Sequence, residues 1–143
     1  MYLYNKICKN NFFNRERKIS IILRKCRVEK ISFINKFFYN TEFFKTDFNK
    51  ISFKNCKFKK TIFNNIKFDK TRFFNCSFNN VEFSHFEIKN EIFKNCRFNN
   101  IKFNCTILNY KNNLPKSITS KNKNDIIYKN KNGDLIHNKK MFQ

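Results

Sequence analysis

Six cysteines and two histidines are the side chains of this 143-residue chain with the widest chemical repertoire. A thiolate can ligate a metal, attack an electrophile or oxidise to a disulfide, and a neutral imidazole can ligate or shuttle protons. Spacing decides which of these is open. Structural metal sites usually use paired Cys-x-x-Cys loops and four ligands; neither is present. His85 and His137 have no carboxylate or nucleophile at a catalytic spacing, and no Gly-rich phosphate loop or His-metal motif occurs. The expectation is a protein that is not an enzyme and has no metal and no cofactor. The cysteines instead keep a long interval. Cys56, Cys76 and Cys96 recur every twenty residues, each after an Asn, in three copies of Phe-x-Asn-Cys-x-Phe at 53–58, 73–78 and 93–98.

A shorter interval positions them. From residue 33 to 108 every fifth residue is large and apolar: Phe33, Phe38, Phe43, Phe48, Phe53, Phe58, Phe63, Phe68, Phe73, Phe78, Phe83, Ile88, Phe93, Phe98, Phe103 and Leu108. The chain has 21 Phe among 143 residues, so chance would put only about two or three in this column. Period five fits no straight element. On an α-helix it advances about 140° per step and scatters the rings; on one long strand successive rings alternate faces. The chain must bend once per five residues.

Two residues before each ring lies a column of smaller residues, among them Ile31, Thr46, Ile51, Cys56, Thr61, Thr71, Cys76, Val81 and Cys96. β-Branched residues and cysteine suit short, tightly packed extended segments. The residue between the columns is mostly polar, as in Ser32, Asp47, Lys57 and Arg97, so two side chains point in and one points out. The remaining two residues make the turn. They are dominated by Asn and Lys, and Asn tolerates the left-handed conformation that tight turns need. The only Gly is Gly133, so Asn is expected at the corners.

This pattern resembles the pentapeptide-repeat proteins, whose motif is a small residue, a polar residue, Leu or Phe, and two variable residues. Matching stretches are Thr-Asp-Phe-Asn-Lys (46–50), Cys-Lys-Phe-Lys-Lys (56–60) and Cys-Ser-Phe-Asn-Asn (76–80), with weaker leading repeats at Ile21/Leu23 and Cys26/Val28. The resemblance implies an all-β fold, a right-handed quadrilateral β-helix with four repeats per coil, about 4–5 coils over residues 21–108. Departures are Lys36, Phe86 and Glu91 at the small inward position. Some members of the family bind DNA gyrase by imitating DNA, a mimicry that needs negative charge.

Four repeats per coil would stack residues twenty apart at about 4.8 Å. Asn35, Asn55, Asn75 and Asn95 then form an Asn ladder, with Cys56, Cys76 and Cys96 beside it. Arg27, Asp47, Lys67 and Glu87 form a column of alternating sign, which favours cross-strand attraction. Cys8 and Cys105 lie apart from this system and are expected at the surface, which would favour a reducing compartment.

Residues 1–20 are expected to cap the solenoid, which otherwise ends in open strand edges. They lack the apolar run of a signal peptide, and no segment reaches the roughly 18 apolar residues of a membrane span, so a cytoplasmic location is expected. Residues 109–143 form a basic tail, expected to be partly disordered or a small hairpin, with Ile126-Ile127-Tyr128 and Leu135-Ile136 flanking Asn132-Gly133.

The net charge is +21. It suits a polyanionic partner. It also suits base composition, because Lys, Asn, Ile and Phe all have AT-rich codons, and this reading weighs heavier. Phe37, Tyr39, Phe44 and Phe74 lie outside the inward columns and are expected as isolated exposed aromatics. The leading expectation is a non-enzymatic scaffold that binds a macromolecule, expected to be a protein, along a solenoid face, with a dimer through a terminal coil left open. The alternatives are nucleic-acid binding through basic faces and a gyrase partner, the latter opposed by the positive charge.

Overall fold

The computed structural model describes residues 1–10, 12–13, 15–88, 92–109, 126–129, 132 and 134–137. No helix occurs among them, and parallel strands stack into a β-solenoid of about five turns with a large apolar residue every five. Each turn has four sides. Face A carries Tyr2–Tyr4 and Ile22–Arg24, then 42–44, 62–64, 82–84 and 102–104. Face B carries Ile7–Lys9, Arg27–Glu29, Asp47–Asn49 and Lys67–Asp69. Face C carries Ser32–Ile34, Ser52–Lys54, Arg72–Phe74 and Phe93–Lys94. Face D carries 37–39, 57–59, 77–79 and 97–99, and its strands run through the corner into face A, as in Phe37–Phe44 and Lys57–Asn64.

The register is twenty. On face A, Leu3 pairs Leu23, Leu23 pairs Phe43, and Phe43, Phe63, Phe83 and Phe103 follow in line. The ladder starts at Tyr2, so the first residues build a coil of their own ahead of residue 21. That coil contains a slip. Phe13 sits 5.5 Å from Phe33, twenty residues on, but Ile19 pairs Phe38, nineteen residues on. Leu3↔Leu23 is unshifted, so the coil takes up one extra residue between Phe13 and Ile19 and returns it before Leu23. Both Phe13 and Ile19 are buried.

The axis is filled with rings. Phe33, Phe38, Phe43, Phe48, Phe53, Phe58, Phe63, Phe73, Phe78, Phe83, Phe93 and Phe103 are all buried. Along the axis, rings one coil apart are nearly parallel, as for Phe38–Phe58 (4.9 Å, 5°) and Phe58–Phe78 (4.9 Å, 6°). Within a coil, neighbouring rings meet edge to face, as for Phe43–Phe48 (79°) and Phe53–Phe58 (69°). This follows from four sides: a ring standing on one wall is steeply turned from the ring on the next. Both arrangements suit the ring quadrupole. Phe68 and Phe98 are only half-buried against this core. Phe68 lies on the last strand of the face B sheet and Phe98 in the last described layer of face D, so neither has a described ring stacked beyond it. Ile88 and Leu108 are register partners, and their side chains lie outside the described ones.

The corners are left-handed. Seventeen non-Gly residues have φ between 46° and 58°, and every one has a number divisible by five. Asn takes most of them, including Asn35, Asn55, Asn75 and Asn95, as the turn chemistry predicts. Lys25, Lys30, Lys45, Lys50, Lys60 and Lys70 take six, and His85 takes one. Lys has no short side-chain amide to support this conformation, so its corners carry more backbone strain than the Asn ones. At many corners a backbone N–H reaches the next coil, as in Asn55 N to Phe74 O and Lys50 N to Asp69 O.

At the C-terminal end the register survives a gap. Ile126–Lys129 pairs in parallel with 106–109, again twenty residues on, and Leu135–His137 pairs antiparallel with Ile126–Lys129. The expected disorder of the tail falls on residues outside the described ones.

Candidate functional site

The cysteine column lies where face C turns into face D. Cys56, Cys76 and Cys96 hold the small inward position at the start of face D, one per coil. Each Sγ lies 3.3–3.5 Å from two backbone carbonyls: Phe33 and Lys54 for Cys56, Phe53 and Phe74 for Cys76, Phe73 and Lys94 for Cys96. Threonines at the same repeat position do the same work. Thr71 Oγ1 donates toward Phe48 O and Asp69 O, and Thr106 Oγ1 toward Phe83 O and Asn104 O. The thiols therefore serve as small plugs that satisfy corner carbonyls.

Outside the plugs runs a groove of about 650 Å³, lined by Asn55, Cys56, Lys57, Asn75, Cys76, Ser77, Asn95, Cys96 and Arg97. It repeats one Asn-Cys-polar triplet three times. The three thiols share protons unequally. Contact with Cys76 holds Cys56 and Cys96 below the usual thiol range, helped at Cys56 by nearby backbone groups and the charge of Lys36. Sharing with Cys56 and Cys96, together with burial, pushes Cys76 far up, so the middle thiol keeps its proton. All three are free thiols. Among the described residues no group of three His, Cys, Asp or Glu is arranged to hold a metal ion.

One other cysteine differs from expectation. Cys8 is fully buried, not at the surface. It takes the central column position directly in line with Val28, where an apolar residue is required, and burial pushes its thiol up to about 11, with Cys26 adding to the rise. An exposed Cys8 therefore cannot argue for a reducing compartment. The side chains of Cys105 and His137 lie outside the described ones. His85 is an exposed corner residue.

The Asn ladder has two forms. Asn35, Asn55, Asn75 and Asn95 occupy exposed corners, and the backbone N–H groups of Asn35, Asn55 and Asn75 bind the next coil. Side-chain amide contacts join Asn99 to Asn79 at 3.5 Å and Asn100 to Asn80. This second ladder was readable as paired Asn-Asn twenty residues apart, 79–80 and 99–100, but the column before Cys drew the attention. The alternating column behaves differently from expectation. The register sets Arg27 beside Asp47 and Asp47 beside Lys67, but the Arg27 guanidinium pairs along its own strand with Glu29 at 3.5 Å. Glu29 also meets Lys9 at 3.8 Å, so one half-buried carboxylate collects both cations. Lys36, the departure at the small position, sends its ammonium to the Glu16 carbonyl of the first coil instead of inward.

Charge is divided between faces. Across residues 31–40, 51–60, 71–80 and 92–100, which make faces C and D, the charged residues are Lys36, Lys54, Lys57, Lys59, Lys60, Arg72, Lys94 and Arg97. No acid is among them. Faces A and B hold Glu29, Glu42, Asp47, Asp69, Glu82 and Glu87 among their cations. In the first coil Glu16 lies on the side of faces C and D, between Phe13 and Lys18 and beside Arg15 and Arg17, and Glu91 lies outside the described residues. Ion pairs follow the same division: Lys9–Glu29, Arg24–Glu42, Arg27–Glu29 and Lys102–Glu82 all sit on A and B. Base composition governs how many acids a chain has. It does not govern which wall of a solenoid they occupy.

The aromatics are not isolated. On face D, Phe37 and Tyr39 stack at 5.6 Å and 16°, both half-buried. The register places Lys57 beside Phe37 and Lys59 beside Tyr39. On face C, Phe74 sits between Lys54 and Lys94 in adjacent coils. Phe44 belongs to face A, where Arg24 and Lys45 lie 5.5 Å and 5.4 Å from its ring centre. Residues that look scattered in the sequence are neighbours because their separation is close to a multiple of twenty.

The chain matches no protein-family model and no curated protein. Its five-residue apolar period and parallel coils are consistent with a pentapeptide-repeat fold. No helix among the described residues is long and apolar enough to cross a membrane.

Proposed function

We propose that this protein is a member of the pentapeptide-repeat class that works as a non-enzymatic scaffold, binding a macromolecular partner along faces C and D. The observation that supports this reading is the division of charge: beyond the first coil two adjacent walls carry cations without acids among the described residues, while the other two hold the described ion pairs. A wall whose charged side chains are nearly all cations projects a stronger field and favours an anionic partner. The axis behind it is packed with Phe, which makes the wall stiff and lowers the ordering cost of binding. Gyrase mimicry gains nothing from this surface, because its sign is opposite to that of DNA.

Charge reversal tests the reading. Lys57→Glu with Lys59→Glu and Arg97→Glu should abolish capture of a partner from the native host. Lys45→Glu with Lys50→Glu and Lys67→Glu, on faces A and B, should leave capture intact. Equal loss from both sets would show that only net charge matters and would remove the case for a dedicated wall.

A further inference from the structure

We infer that the ligand of face D is a single-stranded nucleic acid, held by its phosphates on the lysines and by a base on the Phe37–Tyr39 pair. This rests on the scaffold reading above and narrows its partner. Three observations carry it. The first is the order of side chains along the face. In the outward column, Lys18, Phe37, Lys57, Ser77 and Arg97 succeed one another coil by coil in the strand register. An aromatic thus stands between two cations, at steps of about 4.8 Å. The second column repeats the idea with Tyr39, Lys59 and Asn79. Stacking platforms flanked by cations are how proteins hold unpaired strands, because every base has a π-face and every linkage a charge.

The second observation is the groove beside this face. Its Asn55, Asn75 and Asn95 are exposed amides one coil apart, and its rim carries Lys57 and Arg97. Amides offer both donors and acceptors, which suits base edges; an acidic protein segment would use only the donors. The third is that Glu16 is the only acid on faces C and D among the described residues, set among Arg15, Arg17, Lys18 and the cations of the later coils, so a phosphate chain meets little repulsion there. A duplex could use the cations, but its stacked bases could not reach Phe37 and Tyr39. The aromatic pair is what selects the single strand.

Fluorescence anisotropy with the full chain decides the matter. The probes are 20-nucleotide poly-dT and poly-rA strands, a duplex of equal length and a poly-glutamate peptide, each titrated between 50 and 200 mM salt. Single strands should bind at least about tenfold tighter than the duplex. Phe37→Ala with Tyr39→Ala should weaken single-strand binding by about tenfold or more with an unchanged salt slope. Lys57→Ala with Lys59→Ala should lower the slope by about 1.4. Arg27→Ala with Lys67→Ala on face B is the control and should change affinity less than the face D pair. Circular dichroism melts of each variant separate lost binding from lost folding.

Failure of both strands to bind at 50 mM salt overturns the inference. So does equal affinity for the duplex with no effect of the aromatic substitutions, which would show a plain attraction to phosphate. If strands fail but poly-glutamate binds and is lost with the lysine pair, the scaffold reading stands with a protein partner. If neither binds, both readings fall.

Discussion

The rings of Phe53 and Phe73, one coil apart, lie with centroids 4.6 Å apart and planes 5° from parallel. Parallel rings in contact are about 3.5 Å apart, so the pair is offset, the geometry that aromatic stacking prefers. Strand spacing of about 4.8 Å dictates the separation. The backbone ladder and the ring stack therefore share one repeat, and neither strains the other.

Phe73 also meets Phe58, Phe63, Phe68, Phe78 and Phe93. Phe73→Ala should cost about 3–5 kcal/mol of unfolding free energy, read from urea denaturation. Phe98→Ala, at a half-buried ring in a terminal layer, should cost less than half as much. Equal costs would contradict an axis that is tightest at its centre.

The corners make a prediction of opposite signs. Lys50→Asn, at φ 56°, should stabilise the protein by about 0.5–1 kcal/mol, because Asn tolerates the left-handed conformation that Lys resists. Asn75→Ala, at φ 53°, should destabilise it by about 1 kcal/mol for the same reason. Thermal melts of the two variants should move in opposite directions.

If the column cysteines are plugs, Thr should replace them. Cys76→Thr should change stability by less than about 1 kcal/mol, since Thr71 and Thr106 make the same pair of carbonyl contacts. Cys76→Ala should cost more, because it leaves Phe53 and Phe74 carbonyls unserved. Among the five cysteines whose side chains are described, mass spectrometry after brief alkylation at pH 8 should find Cys96 modified first, being half-exposed and more acidic than an ordinary thiol, and Cys8 last.

Cys8 links stability to alkaline pH. Its thiol ionises near 9 when unfolded and about 11 when folded. The raised value means the folded state holds the proton more tightly, so the stabilisation is full below pH 9 and is lost as pH rises to 11. The melting temperature of the wild type should fall further between pH 9 and 11 than that of Cys8→Val. Parallel curves would show that Cys8 is not the titrating group.

The five-residue column, the small inward column, the Asn corners and the twenty-residue stacking were all legible in the sequence, because each is a local rule repeated in step. Phe73 must be central and Asn75 must be a corner wherever the coil happens to point. Lys in the turn residues was legible too, but that six of them hold the left-handed conformation was decided by the ladder on both sides, which imposes a strain Lys would not otherwise accept. Burial of Cys8 was not legible; it follows from the pairing of Ile7–Lys9 with Arg27–Glu29, before the Phe column begins.

Wall assignment was the decision of tertiary structure. Phe37 and Lys57, or Tyr39 and Lys59, are twenty residues apart and say nothing to each other along the chain. Winding the chain four repeats to a turn makes them neighbours, and beyond the first coil it leaves the described acids of the coils on the other two walls. The inside of the protein is written in residue types at period five. The outside acquires meaning only when the coil brings distant residues onto one flat face, because a field and a stacking platform are properties of neighbours in space.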